Sequence, residues 1–355
     1  MNAVSEALAQ DGLRSALAAF WHPVCSLSEL EVSPTGVLGR RLLGRDLAVA
    51  LLGDGSVAAL DDRCLHRSTR LSVGFVETTG IRCAYHGWKW DGCGRCVDIP
   101  AMPTTPIPPK AEVGAYSAEI RYGLVWVRLV DGMETEIPAC PAFDDPAFRV
   151  LAGEPYVWPV AAPRRVENFV DLSHFAWVHD GSLGRRDETV PPLPLVERFD
   201  GELRFTYDPP DMTPDASAMY GFSVYRMSMP CTVNIDFRLA DGSRRMLWMT
   251  ASPIDDSSTR SFWFMARTDD RGGPDEPHIA FQRLVLDEDE PVVCNQVPGE
   301  FPMDLGAELS VRSDRVSIEY RRWLRELVAA AQEGPPAFDG VLRKPVPTSD
   351  EASAP

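Results

Sequence analysis

Residues 64–92 read CLHRSTRLSVGFVETTGIRCAYHGWKWDG, and this stretch decides the fold of the first part of the chain. It holds two Cys and two His, as Cys64-x-His66 and Cys83-x-x-His86, with sixteen residues between His66 and Cys83. Ligands one or two residues apart can sit on one tight loop and point inward. Zinc, a disulfide and an iron–sulfur cluster are the alternatives. Zinc accepts a Cys₂His₂ set, but zinc fingers usually group Cys with Cys and His with His. Here each loop brings one of each. That division suits a [2Fe–2S] cluster whose first iron takes both thiolates and whose second takes both imidazoles. Gly87 allows close backbone approach, and Trp88 and Trp90 can shield the site.

Around this stretch the chain is dense in strand signals. RRLLGRDLAVALLGDGSVAAL (40–60) carries apolar runs broken at Gly53-Asp54-Gly55, a hairpin signal, and AEVGAYSAEIRYGLVWVRL (111–129) repeats the pattern. The reading is a short N-terminal helix over 1–20 and an all-β domain over 21–135. A polar, Pro-rich linker near 131–146 precedes a mixed domain over 136–333, and a disordered tail covers 334–355. In the second domain, 164–181, 277–298 and 312–333 read as helices, the second of them fraying near Pro291. Residues 202–207, 221–238, 244–252 and 260–268 read as strands. The fold class is therefore α+β.

Composition bounds the function. The 355 residues carry a net charge of −17, which argues against nucleic-acid binding and suits a small-molecule enzyme or docking to a basic partner. No run of about 18 apolar residues is present, and the N-terminus lacks a basic start followed by an apolar run. A cytoplasmic protein without a membrane span is expected. Eight Cys are too few for a disulfide scaffold, so clustered Cys read as metal ligands. The neighbouring Cys93 and Cys96 have no further ligands beside them and read as structural.

The remaining His direct attention to ENFVDLSHFAWVHD (167–180). Asn168, Asp171 and His174 are spaced i, i+3, i+6, along one face of a helix. His179 lies five residues past His174 and falls off that face, so either the helix ends there or it contains a π-turn.

At this point the sequence resembles a known family. CLHR…CAYHGWKWD matches the C-x-H-R…C-x-Y-H-G-W pattern of the Rieske non-heme iron oxygenases. Asn168, Asp171, His174 and His179 match the N-x-x-D-x-x-H-x₄-H motif of their catalytic domain. The resemblance covers most of residues 20–330. It implies a Rieske [2Fe–2S] domain followed by a helix-grip catalytic domain of antiparallel sheet and helices. Cys64, His66, Cys83 and His86 would hold the cluster, and His174 and His179 would hold Fe(II). The carboxylate that completes the 2-His-1-carboxylate triad lies in LVLDEDEPVV (284–293). Alignment on the family's EDxPVVE segment selects Asp289, with Asp287 next. His278, on the same helix, reads as structural or pocket-lining.

The resemblance also implies that Asp171 accepts a hydrogen bond from His86 of a neighbouring subunit, within a head-to-tail homotrimer, and contacts His174. It places Asn168 beside the reaction. Electrons would come from an NAD(P)H-dependent reductase, with or without a ferredoxin, and O₂ would be the oxidant. The substrate reads as a small cyclic or aromatic molecule. The length suits the vanillate and dicamba O-demethylase group, which monohydroxylates or demethylates. Ring cis-dihydroxylation and a pure Rieske electron-transfer protein are the alternatives.

Overall fold

The computed structural model describes residues 3–208 and 222–345. The chain divides into two compact units: Ala18–Ile137, and Met1–Leu17 together with Pro138–Pro355. The first helix, α1 (Ala3–Leu17), therefore groups with the second half of the sequence.

The Ala18–Ile137 unit is built on a six-stranded antiparallel sheet. Its strands are β1 (His22–Ser26), β2 (Val37–Leu42), β3 (Arg45–Leu51), β4 (Val57–Asp61), β9 (Ala115–Arg121) and β10 (Leu124–Arg128), in the order β1-β10-β9-β4-β3-β2. Between β4 and β9 the chain forms a smaller sheet of β5 (Phe75–Glu77), β6 (Gly80–Arg82), β7 (Lys89–Asp91) and β8 (Cys96–Asp98), paired in sequence order. A short helix α2 (Leu27–Glu31) starts on a capping box, in which Ser26 Oγ accepts from Glu29 N and Glu29 Oε2 accepts from Ser26 N. Two apolar clusters form, as alternation along both sheets requires. One of them takes in Ile81 and Trp90 from the small sheet and Cys64 and Cys83 from the loops, together with Ala48, Leu60 and Ala58.

The other unit is an antiparallel sheet with helices. Its strands are β11 (Arg149–Ala152), β12 (Tyr156–Trp158), β13 (Glu197–Phe199), β14 (Glu202–Tyr207), β15 (Phe222–Ser228), β16 (Thr232–Arg238), β17 (Arg244–Asp255) and β18 (Ser258–Arg267). The order is β11-β18-β17-β16-β15-β14-β13, with β12 also on β18. Residues directly opposed across a ladder share a face. Phe205, Tyr225, Ile235, Leu247 and Met265 form one such row. Further helices in this unit are α3 (Pro141–Asp144), α4 (Ala162–Val170), α5 (Phe175–Val178), α6 (Glu276–Val293) and α7 (Arg315–Glu333).

Four expectations need correction. The single helix expected over 164–181 breaks at Asp171, whose backbone is extended at ψ 127°. Its side chain accepts from Ser173 N at 2.7 Å, and this local bond competes with helix continuation. Residues 222–238 are two strands of a hairpin, turned at Met229–Cys231, because Pro230 cannot donate to a ladder; residue 221 lies outside the described residues. The helix expected over 277–298 does not reach 298: it ends at Val293, close to the expected fraying point, and Pro291 lies within its last turn. The tail is not wholly irregular. A final helix, α8 (Pro335–Leu342), starts after Gly334, buries Phe338 and Leu342, and is tied to the unit by Trp323 Nε1 donating to Val341 O at 3.2 Å. Apolar residues at 338 and 342 lie one turn apart, so they present one face. Residues 346–355 lie outside the described residues.

Two candidate metal centres

The first centre lies on two loops of the smaller sheet's unit. Cys64 and His66 follow β4, and Cys83 and His86 lie between β6 and β7. Each loop is fixed by its own backbone. Ser68 N donates to Cys64 O at 2.9 Å and Cys64 N to Thr69 O at 2.8 Å, while Gly87 N donates to Cys83 O at 3.0 Å and Cys83 N to Trp88 O at 2.9 Å. Gly87 has φ +71°, where an L side chain is strained, so the turn after His86 needs glycine. Arg82 braces the second loop by donating to Gly87 O at 2.5 Å and to Asp98 at 2.8 Å.

Both thiols are buried. Burial pushes the Cys64 thiol up, which disfavours a free thiolate in the metal-free site. The two imidazoles meet edge to face with centroids 4.5 Å apart, and Trp88 stacks on His66 at 4.7 Å. His66 Nδ1 is buried without a hydrogen-bond partner. A buried orphan nitrogen is costly, and ligation to a metal would satisfy it. Two buried thiols, two adjacent imidazoles and an orphaned ring nitrogen fit a mixed Cys/His cluster. Cys93, exposed, and Cys96, buried with its thiol 3.6 Å from Asp98 O, stand apart as free cysteines.

The second centre joins α4, α5 and α6. Breaking the helix at Asp171 lets the chain step sideways before α5, whose ends are His174 and His179. The ring centroids of these two His are 4.9 Å apart. Asp289 enters from α6. One ligand atom from each of His174, His179 and Asp289 lies within 4.8 Å of the others. Asp289 Oδ1 is 3.5 Å from His174 Nε2 and 3.3 Å from His179 Nε2. On α6, Asp289 is buried while Asp287 and Glu290 are exposed, so helical periodicity sorts the four acids. Two imidazoles and a carboxylate are the donor set of a non-heme Fe(II) facial triad.

Three neighbours shape this triad. Glu288 Oε2 lies 2.8 Å from His179 Nδ1 and accepts from Ser182 Oγ at 2.7 Å. An Nδ1–H bonded to Glu288 leaves the Nε2 lone pair facing Asp289. Burial alone would lower the His179 pKa, but hydrogen bonds and charge from Asp289 and Glu288 hold it above its usual value. Burial likewise pushes Asp289 up, and His179, Arg165 and His174 together hold it below the usual carboxylate range. Asn168 Nδ2 donates to Asp289 Oδ1 at 3.0 Å. Asp171 lies 3.6 Å from His174 Nδ1; burial raises its pKa, and His174 and Ser173 more than offset that.

A hollow of about 280 Å³ opens beside the triad, lined by Asp171, His174, Asp289, Val292, Glu308 and Leu309 among others. On the other side Phe175 meets Tyr207 of β14 at 6.3 Å, so the sheet face carrying Phe205, Tyr225, Ile235 and Leu247 is the one turned toward α5. His278 is half-buried near Asp269, Arg267 and Arg245, outside the triad. The roles of Glu288, Ser182 and Arg165 escape the sequence reading. Glu288 appears there only within the acidic run 287–290 that holds the expected third ligand, and no spacing rule links it to His179.

Residues 20–109 match the Rieske [2Fe-2S] domain and residues 158–330 match the vanillate O-demethylase oxygenase C-terminal domain. The chain is 44% identical over 345 residues to the methylxanthine N1-demethylase NdmA of Pseudomonas putida, covering 96% of this chain and 97% of that protein. It is 43% identical to the methylxanthine N3-demethylase NdmB of the same organism, covering 91% and 93% of the two chains. The solved structure of NdmA with caffeine superposes with a TM-score of 0.90 at 42% identity, covering 96% of this chain and 99% of that one.

Proposed function

The chain belongs to the Rieske non-heme iron oxygenases, and we propose that it oxidatively removes an N-methyl group from a methylated purine-like heterocycle. As a member of this family it carries a [2Fe–2S] cluster and a non-heme iron, and uses O₂ with reductase-supplied electrons on a small cyclic molecule. The observation that carries the reading is the His174–His179–Asp289 group, with His179 and Asp289 buried and His174 half-buried, on a chain similar end to end to two methylxanthine demethylases. Among the described residues no helix is long and apolar enough to cross a membrane. We place the enzyme in the cytoplasm, as a homotrimer served by an NAD(P)H-dependent reductase, directly or through a ferredoxin.

In this reading Cys64, His66, Cys83 and His86 hold the cluster, and His174, His179 and Asp289 hold the iron. The cluster supplies electrons singly and the iron supplies reductive activation of O₂. The overall change is R₂N–CH₃ + O₂ + 2e⁻ + 2H⁺ → R₂N–CH₂OH + H₂O. The hemiaminal then breaks its C–N bond to give R₂N–H and formaldehyde. The protein's own part is positional. Glu288 fixes the His179 ring, and Asn168 steers the Asp289 carboxylate. The Phe205–Tyr225 stack, at 4.5 Å, stiffens the sheet face turned toward α5. Asp171 touches His174 and stays ionised, so it can accept a hydrogen bond from His86 of a neighbouring copy and link the two centres.

The test is turnover of caffeine and theobromine with NADH and a Rieske reductase, scored by formaldehyde and by product mass. Formaldehyde equal to substrate consumed, with about three irons per chain, supports the reading. Hydroxylated product with the methyl retained would overturn it.

A further inference from the structure

Arg165 of α4 is one of the largest fully buried side chains, at 1% exposure. Burying a guanidinium costs several kcal/mol unless it is paired and its N–H groups are satisfied. Its surroundings meet that need closely. Nε and Nη2 donate to Tyr156 OH at 3.0 and 2.8 Å. Nη1 donates to Asn168 Oδ1 and, at 3.3 Å, to Asp289 Oδ2. Its planar group stacks near the rings of Trp158 at 4.2 Å and Phe169 at 4.3 Å. Among the described residues Asp289 is the one carboxylate within ion-pair reach of it.

The two oxygens of Asp289 are thus treated differently. Oδ1 faces both imidazoles and takes the Asn168 amide; Oδ2 faces Arg165. Asn168 is itself held by Arg165, so the guanidinium controls both donors that act on the carboxylate.

We infer that Arg165 is the positioning residue of the iron site: it holds Oδ2 of Asp289 and aims Asn168 at Oδ1, so that one defined carboxylate oxygen is presented to the metal. The inference rests on His174, His179 and Asp289 being the iron ligands. A planar fork in an aromatic box is needed for this, because Lys has neither the geometry nor the stacking face. The nearby cation also favours Fe(II) over Fe(III).

The test uses the full chain with its cluster intact. Fe(II) affinity is measured by chelator competition, and the EPR line shape of the nitric oxide adduct reports the ligand field. His174→Ala is measured first. If it leaves mononuclear iron binding unchanged, the ligand assignment itself fails. If it abolishes binding, Arg165→Met and Arg165→Lys are compared with the unaltered chain. Arg165→Met is expected to lose Fe(II) affinity by about 10- to 100-fold, the usual effect of removing an outer partner. Arg165→Lys is expected to recover part of the affinity while keeping an altered EPR line shape. Wild-type affinity and line shape in a folded Arg165→Met would overturn the inference. Should Arg165→Met not fold, Tyr156→Phe replaces it, since it frees one edge of the guanidinium and keeps the charge. An altered line shape supports the inference, and an unchanged one refutes it.

Discussion

Replacing Glu288 separates two ways of supporting a metal ligand. Its carboxylate lies 2.8 Å from Nδ1 of His179, a ring with 1% side-chain exposure. In Glu288→Gln the amide oxygen can still accept from Nδ1–H, so the tautomer survives and only charge assistance is lost. A bond to a charged group contributes about 1.5–3 kcal/mol and a neutral one about 0.5–1.5, so the loss is about 1 kcal/mol, or roughly fivefold in Fe(II) affinity. In Glu288→Ala the Nδ1–H is left buried. Nearby Ser182 Oγ loses the same partner. An unsatisfied buried donor costs about 1–3 kcal/mol, and a ring free to change tautomer no longer aims Nε2 at the iron. The expected loss is about 10- to 100-fold. Chelator competition on the chain with its cluster intact but stripped of mononuclear iron measures both variants, and the visible absorbance of the Rieske cluster reports folding independently. The reasoning is refuted if folded Glu288→Ala binds Fe(II) as tightly as the unaltered chain, or if the Gln variant is hit harder than the Ala variant.

Other perturbations bear on the same two centres. Asp171→Asn should retain both iron centres and lose coupled turnover, read as formaldehyde per NADH; near wild-type activity would sink the bridging role. In the metal-free chain His179 titrates above its usual value near 6.5, so its stabilising contribution is present below that value and fades as pH rises through the raised one. In the proposed site iron must displace that proton, so Fe(II) affinity should fall as pH drops through the raised value and go on falling below about 6.5, with Asp289 ionised throughout. A flat affinity profile by chelator competition would contradict this. Gly184 packs on α5 so closely that a Cβ would lie 2.3 Å from Phe175 O. Gly184→Ala should therefore cost about 1–3 kcal/mol in thermal unfolding and lower iron occupancy by shifting the helix between His174 and His179.

The chain's own string of residues settled the chemistry more than the geometry. Cys64-x-His66 and Cys83-x-x-His86 are local patterns: each pair lies on one loop, and a loop's ligand spacing is legible because only a residue or two separates its members. His174 and His179, five residues apart on one segment, were legible as a local pattern too. The segment that carries them was not, since a period of three residues favoured a continuous helix, whereas the Asp171 carboxylate captures Ser173 N and breaks it. Asp289 stood within a run of four acids, and choosing it took a family pattern; folding chooses it by turning one helix face inward.

What tertiary structure alone decided is the set of partners around the ligands. Glu288 reaches His179 across 109 residues, Arg165 reaches Asp289 across 124, and Tyr156 joins through β12. Hydrogen bonds between side chains so far apart leave no period in the sequence, because their geometry follows from how α4, α5 and α6 pack rather than from any one element. The candidate donor atoms of the two centres are written in the motifs; at the second centre the directions in which those atoms point are set only when α4, α5 and α6 close on one another.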